Sequence, residues 1–408
     1  MLAHVLPHPL DRKVSVSLSK EQRRQLITLS AGAFASQSSV RLCDPMLPQL
    51  SKDFGHSIGE VALVITSFSI AYGLFQLIHG PMGDYAGKLR WIRYATVAAA
   101  LASAACMLAA NLSQLIVLRF FAGAACAALI PLSLAWIGDE VPYQSRQAVL
   151  AKFMTGSTAG AVFGQVAGGV MADTLGWRLS FALPACVLVV VAAILSLSPQ
   201  VRLPPSGSER PSVRSIARQF HAVLETGWAR FILAVVFLEG FIVYGAFAYV
   251  PSHLHLAFGM PLWRAGLAAA GFGLGGVIYT LGASYLIRVL KEQGLLTAGA
   301  IVFAAGLILI GGIDWSEQLL FCTLMGLGFF MVHNTLQVQA TQMAPQARGT
   351  AIAAFAVGLF SGQSLGVAIG SSIMNDYGFQ LLQRASSCFF VLLSISTAYL
   401  VWRKQRPV

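Results

Sequence analysis

Residues 80–90 read GPMGDYAGKLR, from Gly80 to Arg90, and they lie between two long apolar stretches. Three glycines, one acid and two bases fill a stretch where a helix in an apolar chain could simply end. An ordinary helix connection needs no such composition. A short turn that must hold two moving helices at a fixed distance does need it. Glycine permits close approach and positive φ. An acid among bases can form a latch that opens when the helices move.

The surroundings of this turn set the class of the whole chain. Of 408 residues, 56% are hydrophobic and only 11% are charged, and the mean hydropathy is +0.71. Soluble domains carry about 25% charged residues. Apolar runs of roughly 18 or more residues recur along almost the full length, each able to cross a hydrocarbon core about 30 Å thick. The reading is an all-α integral membrane protein with twelve transmembrane helices. Their expected spans are 26–47, 59–80, 94–110, 113–138, 149–172, 179–198, 229–250, 265–287, 295–313, 318–343, 347–374 and 380–401.

The net charge of +11 reports topology. With a cytoplasmic N-terminus and alternating helices, 21 of the 27 lysines and arginines fall on the inner side, four on the outer side and two inside helices. That is the positive-inside rule. It places both termini in the cytoplasm of a multi-pass protein of the bacterial inner membrane type and implies no nucleic-acid partner. The six cysteines, all in apolar stretches without CxxC spacing, read as buried small hydrophobes. The first 20 residues lack the apolar core of a removable signal peptide.

One long connection divides the chain into an N-terminal six-helix half (1–198), a cytoplasmic linker (199–228) and a C-terminal six-helix half (229–408). The linker holds Pro204, Pro205 and Pro211, then a basic stretch that can form an interfacial helix. The halves read as pseudo-symmetric repeats. A shift of 202 residues carries Gly160, Gly164 and Gly168 onto Gly362, Gly366 and Gly370. The same shift carries Gly80 to Gly282 and Gly176 to Gly378, and a shift of 203 carries Pro48 to Pro251. Parallel repeats meeting at a central site are a recurring plan of transporters.

With these features the chain resembles the major facilitator superfamily over nearly its whole length. Gly80, Asp84, Gly87, Lys88 and Arg90 match in register the family's loop between the second and third helices, G-x-x-x-D-x-x-G-[RK]-x-[RK]. The resemblance implies that this loop is a conformational latch. In the second half, Leu286 stands where the shift predicts the acid, so only the first half is expected to carry the full latch. Arg119 followed by Gly123 matches the family's fourth-helix pattern, whose arginine is linked to proton movement in proton-coupled members. The run GAVFGQVAGG, with Gly160, Gly164, Gly168 and Gly169, is similar to the fifth-helix signature of drug and metabolite exporters. Gln165 takes the place of the usual proline, so the glycine face for helix packing remains and the kink is not expected.

Polar residues inside the apolar spans are candidate cavity linings, because a polar stripe facing lipid is costly. Gln37, Arg41, Asp44 and Pro48 share one face of the first helix. Arg41 and Asp44 either pair with each other, reach the outer interface, or serve as substrate contact and protonatable carboxylate. Glu239 is midway along the seventh helix, and the repeat shift sets it opposite Gln37, so both are expected on the cavity. Proton coupling is assigned to Asp44 or Glu239 without a choice between them, with Arg119 alongside. Tyr72, Gln76 and His79 on the second helix, Gln165 on the fifth, and His333, Asn334 and Gln337 on the tenth complete the expected substrate cavity. The 25 phenylalanines are read as lipid contact and packing.

The expected function is secondary active transport by rocking of two halves around a central site. Export of a small organic compound in exchange for protons is the first reading, and proton-driven uptake of an organic anion is the second. The expected partners are that compound, protons and the lipid bilayer, with the protein acting as a monomer. The proton gradient is the driving force, with no cofactor and no metal. No HExxH, Walker loop or nucleophile triad speaks for an enzyme or an ATP-driven pump.

Overall fold

The computed structural model describes residues 18–198, 212–344 and 348–405. These residues form helices and turns, and they make twelve long helical passes. Passes α1 to α6 comprise α1 (Lys20–Arg41, a 3-10 turn Asp44–Met46 and Leu47–Phe54), α2 (Ile58–Val61 and Leu63–Ala86), α3 (Lys88–Cys106), α4 (Leu112–Cys126 and Leu129–Glu140), α5 (Tyr143–Thr174) and α6 (Trp177–Ser180 and Ala182–Leu197). The second set comprises α7 (Gly227–Phe247 and Val250–Phe258), α8 and α9 as the two arms of Leu262–Leu309 on either side of Lys291, α10 (Trp315–Met343), α11 (Arg348–Tyr377) and α12 (Phe379–Gln405). A linker helix, Val213–Glu225, joins the halves. Eight stretches are long and apolar enough to cross a membrane by themselves, and one of these is the α8–α9 hairpin. The passes outside that set are α1, α3 and α5. Lys88, Arg90 and Arg93 start α3, and α1 and α5 carry polar faces turned inward.

Local signals fix the element ends. Ser19 caps α1 in a capping box, its hydroxyl accepting from the Gln22 amide at 3.0 Å while the Gln22 side chain accepts from the Ser19 amide. α1 and α7 both break before their far ends, resume with Pro48 and Pro251 in the first turn, and stop on left-handed Gly55 and Gly259. Several helices extend beyond the apolar spans that define them in sequence, because a helix does not stop at the hydrocarbon boundary. α1 thus begins at Lys20 and α3 at Lys88. Of the expected linker, 199–211, with its three prolines, lies outside the described residues, as do the first seventeen residues, 345–347 and 406–408. The described linker helix turns Ile216, Phe220 and Val223 toward the protein and Arg214 and Arg218 to the surface.

The repeat is a packing device. A Cβ at Gly160, Gly164 or Gly168 would collide with the backbone of Phe34, Ser38 and Leu42 on α1. A Cβ at Gly362, Gly366 or Gly370 would collide with the backbone of Phe237, Phe241 and Gly245 on α7. Three positions on each helix pair thus let backbones touch, as small residues do in membranes. On α1 and α7 the register is 203, since Phe34, Ser38 and Leu42 answer to Phe237, Phe241 and Gly245. Glu239 is therefore the counterpart of Ser36 rather than of Gln37.

The halves meet along two seams, α5 with α8 and α2 with α11. Gly169 faces Leu262 across the first seam, and Gly73 faces Phe360 and Val357 across the second. Polar bonds reinforce these seams on the face opposite the linker. Ser364 donates to the Thr66 carbonyl at 3.1 Å, Gln363 donates to the Ser69 hydroxyl at 2.8 Å, and the Trp263 amide donates to Asp173 at 2.8 Å. The far face is closed by these contacts. On the linker face the halves separate around a cavity.

Candidate functional site

The cavity has a volume of about 730 Å³, within the range of small-molecule sites. Asp84, Gln219, Gly349 and Thr350 rim it on the linker face, and its wall includes residues of both halves. Gln37, Arg41, Tyr72, Gln76, Gln165, His333, Asn334 and Gln337 all line it, as their spacing predicts. The stripe Gln37–Arg41 and the pair His333–Gln337 are each four residues apart, which sets both members on the inward face of α1 and α10. α5 is one unbroken 32-residue helix, consistent with glutamine in the place of proline.

At the N-half wall, Asp44 is fully buried behind the lining and does not itself face the cavity. The break after Arg41 swings the Asp44 carboxyl toward α5, where Gln165 donates to its Oδ2 at 2.8 Å. Arg41 approaches the same oxygen at 3.6 Å. The Arg41 guanidinium lies over the Tyr244 ring of α7, 4.2 Å from its centroid, and 5.7 Å from that of Phe247. Arg41 therefore reaches across from one half to the other. It does not extend to the outer interface. Asp44 Oδ1 has no hydrogen-bond partner among the described residues.

The C-half wall repeats the arrangement with different chemistry. Glu239 is fully buried and, contrary to the expectation from the repeat, does not line the cavity. It lies behind His333, whose Nδ1 is 3.0 Å from Glu239 Oε2. The imidazole stacks on Phe329 with centroids 5.0 Å apart and packs near Phe355. Glu239 Oε1 has no hydrogen-bond partner among the described residues. Each half thus hides one carboxyl behind polar side chains on the wall, Arg41 and Gln165 in one and His333 in the other.

One further expectation is corrected. His79 does not line the cavity. Its Nε2 lies 2.8 Å from the Ala124 carbonyl, and Trp91 Nε1 donates to its Nδ1 at 2.9 Å, so it ties α2 to α3 and α4. Arg119 is also away from the lining, 1% exposed, with its guanidinium 4.1 Å from the Phe68 centroid. It donates to the Ser39 carbonyl at 3.0 Å and the Val64 carbonyl at 3.3 Å. Ser39 is in the last turn before the α1 break, where carbonyls lack intrahelical partners. Arg119 satisfies one of them and braces α1, α2 and α4 together.

The phenylalanine count concealed part of the site. Phe247, Phe272, Phe329, Phe330, Phe355 and Phe360 line the cavity with Tyr244. The available signal was local. Phe329, His333 and Gln337 recur every fourth residue and share a face.

The opening turn is tighter than a loop. α2 continues through Pro81 to Ala86, α3 begins at Lys88, and the reversal rests on Gly87 at φ +87°. Gly80 is helical with open space where a Cβ would lie, so it provides neither a positive φ nor a close approach here. Gly83, facing Leu132, makes the close contact instead. Lys88 bridges Asp84 at 3.2 Å and Asp139 at 2.6 Å, joining α2 and α3 to the end of α4. These bonds lie within the N half.

Comparison with known proteins agrees with this architecture. The sequence profile of the Major Facilitator Superfamily matches residues 29–367. An uncharacterized transporter of Buchnera aphidicola is 22% identical over 335 residues, covering 80% of this chain and 79% of its own. The multidrug export protein EmrB of Escherichia coli is 27% identical over 173 residues, 42% of this chain and 34% of its own. Among solved structures, a bacterial homologue of the human lysosomal transporter Spinster, inward-facing and unoccupied, superposes with a TM-score of 0.73 at 16% identity, covering 95% of this chain and 98% of its own. The nucleoside transporter NupG gives 0.71 at 12% identity, with 93% and 99% covered. The chain belongs to the major facilitator superfamily, and its fold is that of a multi-pass membrane transporter.

Proposed function

We propose that this transporter moves a small organic compound by alternating access, coupled to protons. The observation that carries the reading is the cavity between the halves, open on the linker face and closed on the far face by the α2–α11 and α5–α8 seams. Rocking about these seams would close one face as the other opens. The excess of basic residues assigns the linker face to the cytoplasm of a cell membrane.

Asp44 and Glu239 are the coupling carboxyls. Both are buried, and each keeps one oxygen without a hydrogen-bond partner among the described residues. An ionised carboxylate in such a place is costly, so proton occupancy and conformation become linked. Arg119, held by two carbonyls, faces Asp44 as a fixed charge.

Export in exchange for protons is the direction favoured by the exporter-like residues at Arg119, Gly123 and Gly160–Gly169. Uptake of an organic anion with protons is the second reading, favoured by Arg41 on the cavity wall. Purified protein in vesicles with an imposed proton gradient tests both. Accumulation of compound with inward-moving protons sinks export. Normal gradient-driven flux in both Asp44→Asn and Glu239→Gln sinks the coupling assignment.

A further inference from the structure

We propose that Arg41 is the anion-binding group of the cavity and that the compound carried is a planar aromatic monocarboxylate, whose carboxylate takes Arg41 over from Asp44. The proposal rests on the transport reading above and follows its anion branch. Among the described cavity-lining residues the fixed charges are Arg41 and Asp84, and Asp84 is at the mouth. Among the described residues no carboxylate lines the interior, so an organic cation would find no countercharge on this wall. Arg41 supplies one for an anion.

The geometry around Arg41 is that of a shared partner. Its approach to Asp44 is a single 3.6 Å contact, longer than the 2.7–2.9 Å of a good charge-assisted bond. Gln165 already holds the same oxygen at 2.8 Å. A guanidinium has five donors in a planar fork that fits a carboxylate bidentately. Arg41 lines the cavity, and its contact with Asp44 is made through one of its nitrogens. The body of the compound is read from the wall beside it. Tyr244, Phe247, Phe272 and Phe329 form a connected aromatic surface, with Phe247 and Phe272 centroids 4.4 Å apart and Phe272 and Phe329 centroids 5.3 Å apart. A flat ring with its carboxylate on Arg41 would stack on this surface.

Asp44 and the compound then compete for one cation. Protonating Asp44 releases Arg41 to the compound, so anion and proton are bound together. The charged and titratable groups facing Asp44 are Arg41 and Cys43 on α1, Arg119 on α4, and Tyr244 and Tyr249 on α7. Asp44 is the carboxyl of this set, and its proton is the one exchanged as the compound binds.

The test is equilibrium binding of radiolabelled benzoate to the purified full chain, with benzamide and benzylamine as competitors of the same ring and different charge. Benzoate is expected to bind at least about tenfold more tightly than either competitor. Arg41→Gln should weaken benzoate about tenfold or more without changing benzamide. Asp44→Asn should tighten benzoate about tenfold at pH 8 and remove its dependence on pH between about 6 and 8, where benzoate stays ionised. Equal binding of the three rings, no saturable benzoate binding, or weaker binding by Asp44→Asn overturns the proposal. If Arg41→Gln fails to fold, the three-ring comparison on the unaltered chain and Asp44→Asn still decide. Spin labels at positions 66 and 364 report the transport reading separately. A far-face distance that never changes with pH or ligand sinks alternating access, whereas one that changes without benzoate binding sinks only the substrate class.

Discussion

The two halves follow the same path, yet at matching places they carry different chemistry. The glycines that let α5 lie on α1 have partners one repeat later that let α11 lie on α7, and both sets meet backbone. The ionisable groups do not repeat. Asp44 is held by Gln165 and Arg41, while Glu239 is held by His333. The linker-face turns differ as well. Gly87 turns α2 into α3, and Lys291, at φ +54°, turns α8 into α9. Aligned by these turns, the counterpart of Asp84 is Arg288 and that of Lys88 is Glu292, not the Leu286 and Leu290 that a shift of 202 selects. Lys88 reaches Asp139 at the end of α4, and Glu292 accepts from Gln339 near the end of α10 at 2.9 Å. A tie from the third helix of each half to the fourth is kept, with the charge reversed. Backbone contact tolerates one residue type and so must recur, whereas a tie between side chains can be made in several ways.

The largest expected effect tests the shared part. Gly160→Val and Gly362→Val each force a branched side chain onto a facing backbone, and each should cost about 3 kcal/mol or more. Loss of monodisperse protein on gel filtration in both checks this, and tolerance of one would break the equivalence of the halves.

Next comes the difference between the carboxyls. Glu239→Gln should reduce gradient-driven flux at least about tenfold while leaving benzoate binding close to unchanged, because the contact of Glu239 is to His333 rather than to Arg41. If it instead shifts benzoate as Asp44→Asn does, the two carboxyls share one task.

The turns give effects of opposite sign. Gly87→Ala places a Cβ in a conformation nearly exclusive to glycine and should lower stability by about 1–2 kcal/mol. Lys291→Gly relieves such a conformation and should raise it by up to about 1 kcal/mol, less the greater freedom that glycine gives the unfolded chain. Thermal unfolding of the two variants side by side reads the signs directly.

The smallest effect belongs to the side-chain ties on the linker face. Lys88→Met and Glu292→Gln should each change the unfolding midpoint by the equivalent of about 0.2–1 kcal/mol, with the Lys88 effect shrinking in high salt. A far larger loss in Lys88→Met would mark the Asp84–Lys88–Asp139 bridge as a principal support of the N half.

The sequence alone determined the membrane class, the twelve passes, the division into halves and the glycine faces. These follow from composition and short-range periodicity, which the bilayer and the helix impose on every such chain. It also placed Gln37, Arg41, Tyr72, Gln76, Gln165, His333, Asn334 and Gln337 on the cavity, because a polar stripe on an apolar helix has few places to go. Depth behind the wall was decided only by tertiary structure. Asp44, Glu239, Arg119 and His79 are as polar as the lining residues, and one helix does not reveal which neighbouring helix supplies their partners. The α1 break gives Arg119 a free carbonyl, α5 brings Gln165 to Asp44, and α10 brings His333 to Glu239. Each pairing joins residues from 80 to 121 positions apart in the chain, and only packing sets such distances.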